Sequence, residues 1–353
     1  MKQCIFSLFF YVFWSISYGQ VTPAFEINFD DCTAMDAIGN LDVNTVSPTI
    51  DCDCGVVMDA AYFDEEADSI YADPGVKELF NDDFTFSMYF WAEDAPEPYS
   101  LFSIQRFCTK DSVFIVGYNP SLNQVSVQIA QNFGVGIFEL GELDEDRCWH
   151  HVIFTREDNV YSLTVDGQFI VTDNVNADIQ MGDRHIVRFG TSPCLNNTET
   201  FSRGRIDQVQ IFDYPLSLEE MQSLERQPDQ ILTSDTTIFA GSDVLIKTGS
   251  VCSNNFTWSP TADLDDPSLI EPTASPAEST TYMLNIDHGT CVAQDQVDIL
   301  VIDENSIDCE NLLLPNVFTP NGDNVNDEFH ISCLLYTSPS PRDQRGSRMP
   351  SSA

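Results

Sequence analysis

The sequence predicts an all-β protein in which a large β-sandwich precedes a small β-sandwich and an incomplete C-terminal β domain. Three observations support this prediction. Runs of alternating apolar and polar residues, typical of strands, recur between residues 84 and 173. Clusters of Asn, Asp, Pro, Ser and Gly separate these runs. One helical stretch stands out, at residues 213–227. Many short antiparallel strands over some two hundred residues favour a sandwich.

The first of these strand runs is "DDFTFSMYFWAE", which places Phe84, Phe86, Met88 and Phe90 on one side and Trp91 on the other. Because both sides are partly apolar, a strand buried between two layers is expected. Further along, Asp166-Gly167 is a strong signal for a two-residue hairpin turn. In the helical stretch, Ser217 and Glu220 have the spacing of a capping box, and Leu218, Met221 and Leu224 form an apolar stripe.

Composition restricts the function. The 353 residues contain 15 Lys and Arg against 56 Asp and Glu, which gives a formal net charge of -41. Such a surface repels nucleic acid and anionic lipid, so neither is an expected partner. A hydrophobic fraction of 42% with 25 Phe excludes wholesale disorder.

Residues 1–19 have the pattern of a signal peptide. Lys2 precedes an apolar run from Ile5 to Trp14, and the small residues Ser17 and Gly19 suit cleavage before Gln20. The run is too short to span a membrane comfortably, so no transmembrane helix is predicted. The sequence therefore predicts an exported protein, either secreted or at the outer cell surface.

Residues 20–228 resemble laminin-G-like, concanavalin A-type jelly rolls. The resemblance lies in the order of "FEINFDD", "DFTFSMYFWAE", "WHHVIFTREDNVYSLTVDG" and "GRIDQVQIFDYPLSLEEM". It implies two curved antiparallel sheets, often a structural calcium ion, and usually glycan or protein binding rather than catalysis.

A calcium site is expected to use Asp30, Asp31 and Asp207. Asp30 and Asp31 end the first predicted strand, and Asp207 lies in the last strand of the family pattern. In such folds these two strands lie side by side, and carboxylate oxygens are suitable calcium ligands. The alternative is a solvated acidic surface.

An enzymatic alternative rests on "GELDEDRCW". Laminarinase-like glycoside hydrolases of the same fold carry carboxylates at alternate positions of one strand. Glu142, Asp144 and Asp146 would share a side if this segment were extended. Glu145, however, stands where that pattern needs an apolar residue. The adjacent His150 and His151 would point to opposite sides of a strand and could not share a metal ion.

Disulfides are expected in an exported chain. Cys252 and Cys291 are predicted to pair, closing a loop of about forty residues within the small sandwich. The pairing of Cys32, Cys52, Cys54, Cys108, Cys148 and Cys194 is left open. A zinc site at "DCDCG" is disfavoured because this is a single C-x-C, whereas zinc sites usually use C-x-x-C with a matching second pair.

Residues 229–305 resemble the Ig-like or PKD-like modules of bacterial surface proteins, notably in "FTWSPTADLDDPS" and "PAESTTYMLNI". Trp258 is the predicted core residue. The resemblance implies a spacer or an adhesive stalk.

Residues 306–332 include "LPNVFTPNGDNVNDEF", which resembles the opening of the gliding-motility-associated C-terminal domain, a sorting signal of type IX secretion. This resemblance implies the type IX machinery as a partner. Residues 333–353 are unlike the rest of the chain. Back-translated, "CLLYTSPSPRD" and "SRMPSSA" resemble the two ends of a sequencing-library adapter, so this tail is interpreted as an artefact.

The function predicted from all of these features is a secreted or surface-attached binding protein. Its large sandwich would recognise a polysaccharide or a surface protein, and its small sandwich would be a spacer. The alternatives are a laminarinase-like hydrolase and a purely structural adhesin segment.

Overall fold

The computed structural model describes residues 21–39, 43–45, 51–109, 111–131, 135–174, 180–195 and 198–303. The predicted signal peptide, the predicted sorting domain and the tail at 333–353 lie outside this part of the chain. The described residues form sheets packed as sandwiches, which confirms the all-β fold class.

The first sheet of the large sandwich has eight strands. Seven of them follow the spatial order β13-β12-β11-β6-β15-β4-β3. The eighth, β1, pairs with β15 on the same side as β4. The first and last strands of the sandwich are therefore neighbours, as expected. These strands are β1 (Phe25–Ile27), β3 (Asp51–Cys54), β4 (Asp59–Phe63), β6 (Phe84–Ala92), β11 (His150–Glu157), β12 (Val160–Val165), β13 (Gln168–Asn174) and β15 (Gly204–Phe212).

The second sheet has seven strands in the order β10-β9-β8-β7-β14-β5-β2. They are β2 (Val43–Thr45), β5 (Ile70–Ala72), β7 (Tyr99–Gln105), β8 (Val113–Asn119), β9 (Gln124–Gln131), β10 (Val135–Glu142) and β14 (Ile186–Phe189). Between the sheets lies a core rich in phenylalanine. A 3-10 helix at Pro74–Phe80 adds Phe80, whose ring lies 4.7 Å from those of Phe84 and Phe114.

The small sandwich consists of a four-stranded sheet in the order β16-β21-β20-β18 and a two-stranded sheet of β17 and β19. Its buried residues include Trp258, 3% exposed, as predicted. The strands are β16 (Thr236–Phe239), β17 (Val244–Leu245), β18 (Phe256–Ser259), β19 (Thr273–Ala274), β20 (Thr280–Asp287) and β21 (Val292–Ile302).

Two local predictions are confirmed. Asp166 and Gly167 both adopt positive φ, 49° and 71°, in the turn between β12 and β13. Helix α1 (Leu218–Leu224) begins with the capping box of Ser217 and Glu220. The apolar stripe is confirmed only in part. Leu224 is buried against Phe212, but Leu218 is 59% exposed because the helix packs through its C-terminal turn.

Four disulfides connect the described residues, and two of them join the sandwiches. They link Cys32 to Cys52, Cys54 to Cys252, Cys108 to Cys194 and Cys148 to Cys291. The predicted Cys252–Cys291 pair is therefore wrong. That prediction assumed a small sandwich that folds independently. Instead, the small sandwich packs against the first sheet, where Cys54 and Cys148 lie within bonding distance.

The junction between the sandwiches is a shared apolar core. Val56, Ala60, Tyr89, Trp91 and Trp149 of the large sandwich cluster with buried residues of the small one. The Ser250 hydroxyl donates to the Val56 carbonyl at 2.7 Å, and the Gln294 amide donates to the Asp146 carbonyl at 2.9 Å. The small sandwich is therefore packed and bonded onto the first sheet. No helix within the described ranges is long and apolar enough to cross a membrane.

Candidate functional site

The outer face of the first sheet is covered along its central strand, β6. Strand β6 points Thr85, Tyr89 and Trp91 away from the main core, yet all three are buried. The Thr85 hydroxyl donates to the carbonyl of Tyr214, before helix α1, and the Tyr89 hydroxyl donates to the carbonyl of Arg226, after it. Trp91 packs into the junction core. The part of this face around β6 therefore leaves little room for a ligand, whereas Phe169 of the edge strand β13 is 63% exposed.

The outer face of the second sheet is more open. Strand register places five residues side by side across β5, β14, β7, β8 and β9: Tyr71, Arg188, Ser103, Ile115 and Gln128. We call this set the outer row. Their neighbours along each strand, such as Ile70 and Val187, belong to the main core, so the outer row faces away from it. Tyr71, Ile115 and Gln128 are half-buried rather than covered.

The Arg188 side chain is held in place by its neighbours in and around the outer row. Its guanidinium lies over the Tyr71 ring, 5.8 Å from the centroid, and its Nη1 donates to the carbonyls of Gln105 at 2.9 Å and Ile186 at 3.2 Å. Arg188 is only 8% exposed. Burial lowers the pKa of its guanidinium from the usual value, although the group remains a cation at any physiological pH.

Two loops border the outer row and are tied together by the Cys108–Cys194 disulfide. The Ser103 hydroxyl donates to the Thr191 carbonyl at 3.0 Å, and the Gln105 side-chain amide donates to the Thr109 carbonyl at 3.3 Å. The Gln105 Oε1 atom is buried and has no hydrogen-bond partner among the described residues. An unsatisfied buried acceptor is costly and calls for an explanation, such as a missing partner.

Asp207 lies elsewhere, at a β-bulge of β15 beneath the loop 55–58. Its Oδ2 accepts the backbone amides of Val56 at 2.8 Å and Val57 at 3.2 Å. Gly55 is needed there, because a Cβ atom would lie 2.6 Å from that oxygen. Burial, with the charge of Asp30 as a smaller contribution, raises the pKa of Asp207 to about 7.

The predicted calcium residues are only partly brought together. Asp30 interacts electrostatically with Asp207, and burial followed by the charges of Glu26, Asp31 and Asp59 raises the pKa of Asp30. The Asp30 Oδ1 atom is buried without a hydrogen-bond partner in the described chain, which suits a hard cation. Asp31 instead is exposed and accepts from the Thr33 amide. Among described residues, no three His, Cys, Asp or Glu side chains converge as a metal site.

The carboxylates of the hydrolase alternative do not form the expected strand pattern. Strand β10 ends at Glu142, and Asp144 lies in a turn, where its Oδ1 accepts the Asp146 amide. Its other oxygen lies 3.6 Å from Arg147 Nε. All three carboxylates are exposed. The extended segment on which this alternative depended is therefore not formed beyond Glu142.

The two histidines point to opposite sides of β11, as expected. His150 Nδ1 lies 2.8 Å from Asp166 Oδ2, and the His151 ring stacks on Tyr89 at 4.0 Å. Burial lowers the pKa of His151 to about 3, so this ring stays neutral at physiological pH. Both histidines have structural roles.

A small cleft of about 200 Å³ lies at the junction, lined by Asp53, Trp91, Arg205 and His288 among others. Several of its polar groups contact one another or neighbouring side chains. Arg205 donates to Asp53 and lies 4.2 Å over the Trp91 ring, and His288 Nε2 lies 3.0 Å from Asp229 Oδ2. These contacts strengthen the junction. The Arg205 Nη1 atom lies 3.6 Å from Glu93 Oε1 and has no hydrogen-bond partner among the described residues.

One protein-family model matches most of the large sandwich. Residues 64–222 match the Laminin_G_3 family model, described as the concanavalin A-like lectin/glucanases superfamily. This match confirms the predicted jelly roll for that stretch. The Ig-like, PKD-like and sorting-domain resemblances stay predictions. No curated protein matches the chain.

Several solved structures are similar to this chain at low identity. Domain 4 of AbnA, a GH43 extracellular arabinanase from Geobacillus stearothermophilus solved with arabinotriose, is 13% identical, with a TM-score of 0.45, over 58% of this chain and 99% of that one. The Ruminococcus gnavus IT-sialidase CBM40 bound to alpha2,3 sialyllactose is 17% identical, with a TM-score of 0.37. That match covers 42% of this chain and 85% of the CBM40 chain. The botulinum neurotoxin serotype D binding domain is 11% identical, with a TM-score of 0.45. That match covers 76% of this chain and 72% of the toxin domain.

Sequence reasoning missed the outer row. Its residues come from five strands, and Tyr71 and Arg188 lie far apart in the chain. The alternation of "IYA" and "IVRF" does indicate which residues share a side of each strand. Only the strand pairing shows that Tyr71 and Arg188 are neighbours.

Proposed function

We propose that this protein is a non-catalytic, extracellular carbohydrate-binding protein that recognises its ligand through the outer row. The observation that carries the proposal is the half-open outer row beside the buried, unpartnered acceptor of Gln105. The concanavalin A-like lectin/glucanase fold of residues 64–222 supports a binding role. The four disulfides are typical of proteins that fold in an oxidising compartment.

The chemistry of the outer row suits a sugar. The Tyr71 ring offers an apolar surface, and the side-chain amide of Gln128 both donates and accepts hydrogen bonds. Binding sites commonly combine apolar surface with a few placed polar groups in this way. The Tyr71 ring is already oriented by Arg188, so its immobilisation costs little conformational entropy on binding.

The test is a glycan array probed with the full chain, followed by the variant Tyr71→Ala. We expect binding to at least one polysaccharide class and at least a tenfold loss of affinity in the variant. The matched control is Phe169→Ala, which removes a 63% exposed ring from β13 of the first sheet. Binding that survives Tyr71→Ala but is lost in Phe169→Ala would place the site on the other sheet.

We also propose that Asp30 and Asp207 hold a structural calcium ion. Two carboxylates that repel each other, with an unpartnered oxygen on Asp30, support this proposal. Calcium titration of the full chain by calorimetry is expected to release heat and to raise the melting temperature. An unchanged melting temperature in millimolar calcium would contradict it.

The export route is proposed from the sequence resemblances at residues 1–19 and 306–332. In a host with type IX secretion, a chain carrying these segments is expected outside the cell. Removal of residues 306–332 is expected to leave the protein in the periplasm, as fractionation and immunoblotting would show. Export without residues 306–332 would rule out the sorting-signal interpretation.

A further inference from the structure

The two disulfides across the junction occupy positions that matter mechanically. On the large sandwich they begin at the end of β3, with Cys54, and just before β11, with Cys148. On the small sandwich Cys252 precedes β18, and Cys291 directly precedes the last strand, β21. The strands β18, β19 and β20 therefore lie between two covalent attachments to the first sheet.

We propose that these junction disulfides give the protein a mechanical function, in which tension between the two ends of the chain bypasses the strands that carry the outer row. A pull on the C-terminal side first loads β21, whose 11 residues follow Cys291. At Cys291 the covalent path divides, either to Cys148 or, through residues 252–290, to Cys54. The peptide linker that precedes β16 carries none of this load.

The N-terminal side has a matching shortcut. The Cys32–Cys52 disulfide bypasses 20 positions of the chain, and Cys54 follows two residues later. The shortest covalent path from Cys32 to Ile302 thus crosses to Cys52, crosses again from Cys54 to Cys252, and continues to the end of β21. It contains about 50 residues, or roughly 180 Å when fully extended at about 3.6 Å per residue.

The strands of the outer row lie off this path. β5, β7, β8, β9 and β14 fall between Cys54 and Cys252 in sequence, so tension between the chain ends is not transmitted through their backbone. The non-covalent contacts of the junction, including the ring of Trp91 in the shared core, resist the load before any disulfide is stretched taut. A surface-attached binding protein would keep its binding face folded under such tension. The disulfide network carries the tension in this way whether or not the outer row binds a glycan.

Single-molecule force spectroscopy on the full chain, tethered at both termini, tests the proposal. The segments beyond Cys32 and Ile302 contribute the same length in every variant. For the wild type we expect the path between those residues to reach about 180 Å. The double variant Cys54→Ser/Cys252→Ser diverts the path through Cys148, and its fully extended length should grow by about 55 residues, roughly 190 Å.

Two further variants sharpen the expectation. Replacing all four junction cysteines should lengthen the path by about 110 residues, or roughly 400 Å, relative to the wild type, because the path then crosses the remaining Cys108–Cys194 disulfide. Cys148→Ser/Cys291→Ser and the control Cys108→Ser/Cys194→Ser should leave the fully extended length unchanged, because neither bond lies on the shortest path. If a variant fails to fold, the wild type alone decides. A wild-type length equal to that expected without junction disulfides would overturn the proposal.

Discussion

The two sheets of the large sandwich enclose one core but differ on their outer faces. The first sheet turns Tyr89, Trp91 and Trp149 outward and buries them under helix α1 and the small sandwich. The second sheet turns Tyr71, Ile115 and Gln128 outward and leaves them half-exposed. An outward aromatic residue thus packs the junction on one face and is available to a ligand on the other. The difference lies in what covers each face rather than in the residue types.

The strongest test of this comparison truncates one aromatic residue on each face. Trp91→Ala should lower the free energy of unfolding by about 3–5 kcal/mol, because the ring is 2% exposed and its loss leaves a cavity. Tyr71→Ala should lower it by less than about 1 kcal/mol, since that ring is only half-buried. Chemical denaturation of both full-length variants measures the two effects. Equal losses would show that the second sheet's outer face is packed as a core.

The next prediction concerns how stability depends on pH through Asp207, which lies beneath the loop 55–58 at the junction. The pKa of Asp207 is about 7 in the folded protein and 3.8 ordinarily. Between pH 3.8 and pH 7, its carboxylate therefore takes up a proton on folding. The stabilisation that this proton uptake contributes is complete below about pH 4 and is lost as the pH rises through 7. The free energy of unfolding should therefore fall across this range, by up to about 4 kcal/mol. Denaturation at several pH values in a calcium chelator measures it.

Asp207→Asn is the informative variant because it keeps an acceptor for the Val56 and Val57 amides but cannot ionise. Its free energy of unfolding should fall much less than that of the wild type between pH 4 and pH 8. Asp31→Asn, at an exposed carboxylate, serves as the control and should keep the wild-type slope. Under the calcium proposal, added calcium at pH 8 should stabilise the wild type but not Asp207→Asn. A wild-type slope in Asp207→Asn would assign the pH dependence to another group.

Removal of one junction disulfide should have a smaller effect. Cys148→Ser/Cys291→Ser is expected to lower the free energy of unfolding by about 2–4 kcal/mol. It should also separate one unfolding transition into two, because the small sandwich is then held by Cys54–Cys252 and the junction core alone. The control Cys108→Ser/Cys194→Ser removes a bond within the large sandwich and should not separate the transitions. Two transitions already present in the wild type would contradict this coupling.

The parts of this molecule that the sequence could predict are those that depend on neighbours along the chain. The turn at Asp166-Gly167 and the capping box of Ser217 and Glu220 are set by a few adjacent residues, and both predictions are confirmed. The pairing of Cys252 was mispredicted because its partner is 198 positions away and is chosen by how the sandwiches dock. Asp207 was singled out for calcium, but its bonds to the Val56 and Val57 amides depend on a loop 150 residues distant. The outer row likewise depends on the order of five strands, which alternation alone does not fix.

The smallest expected effect is at Glu142, the exposed carboxylate that ends β10. Glu142→Gln should change the free energy of unfolding by no more than about 0.5 kcal/mol, because the side chain is exposed. We expect no reducing sugar to be released from laminarin by the wild type or by this variant. The physical reason is that Asp144 sits in a turn beside Arg147, so the paired carboxylates of a retaining hydrolase are not held on one strand. Turnover by the wild type that disappears in Glu142→Gln would replace the binding function with a hydrolase. It would also move the functional site from the outer row to the end of the edge strand of the same sheet.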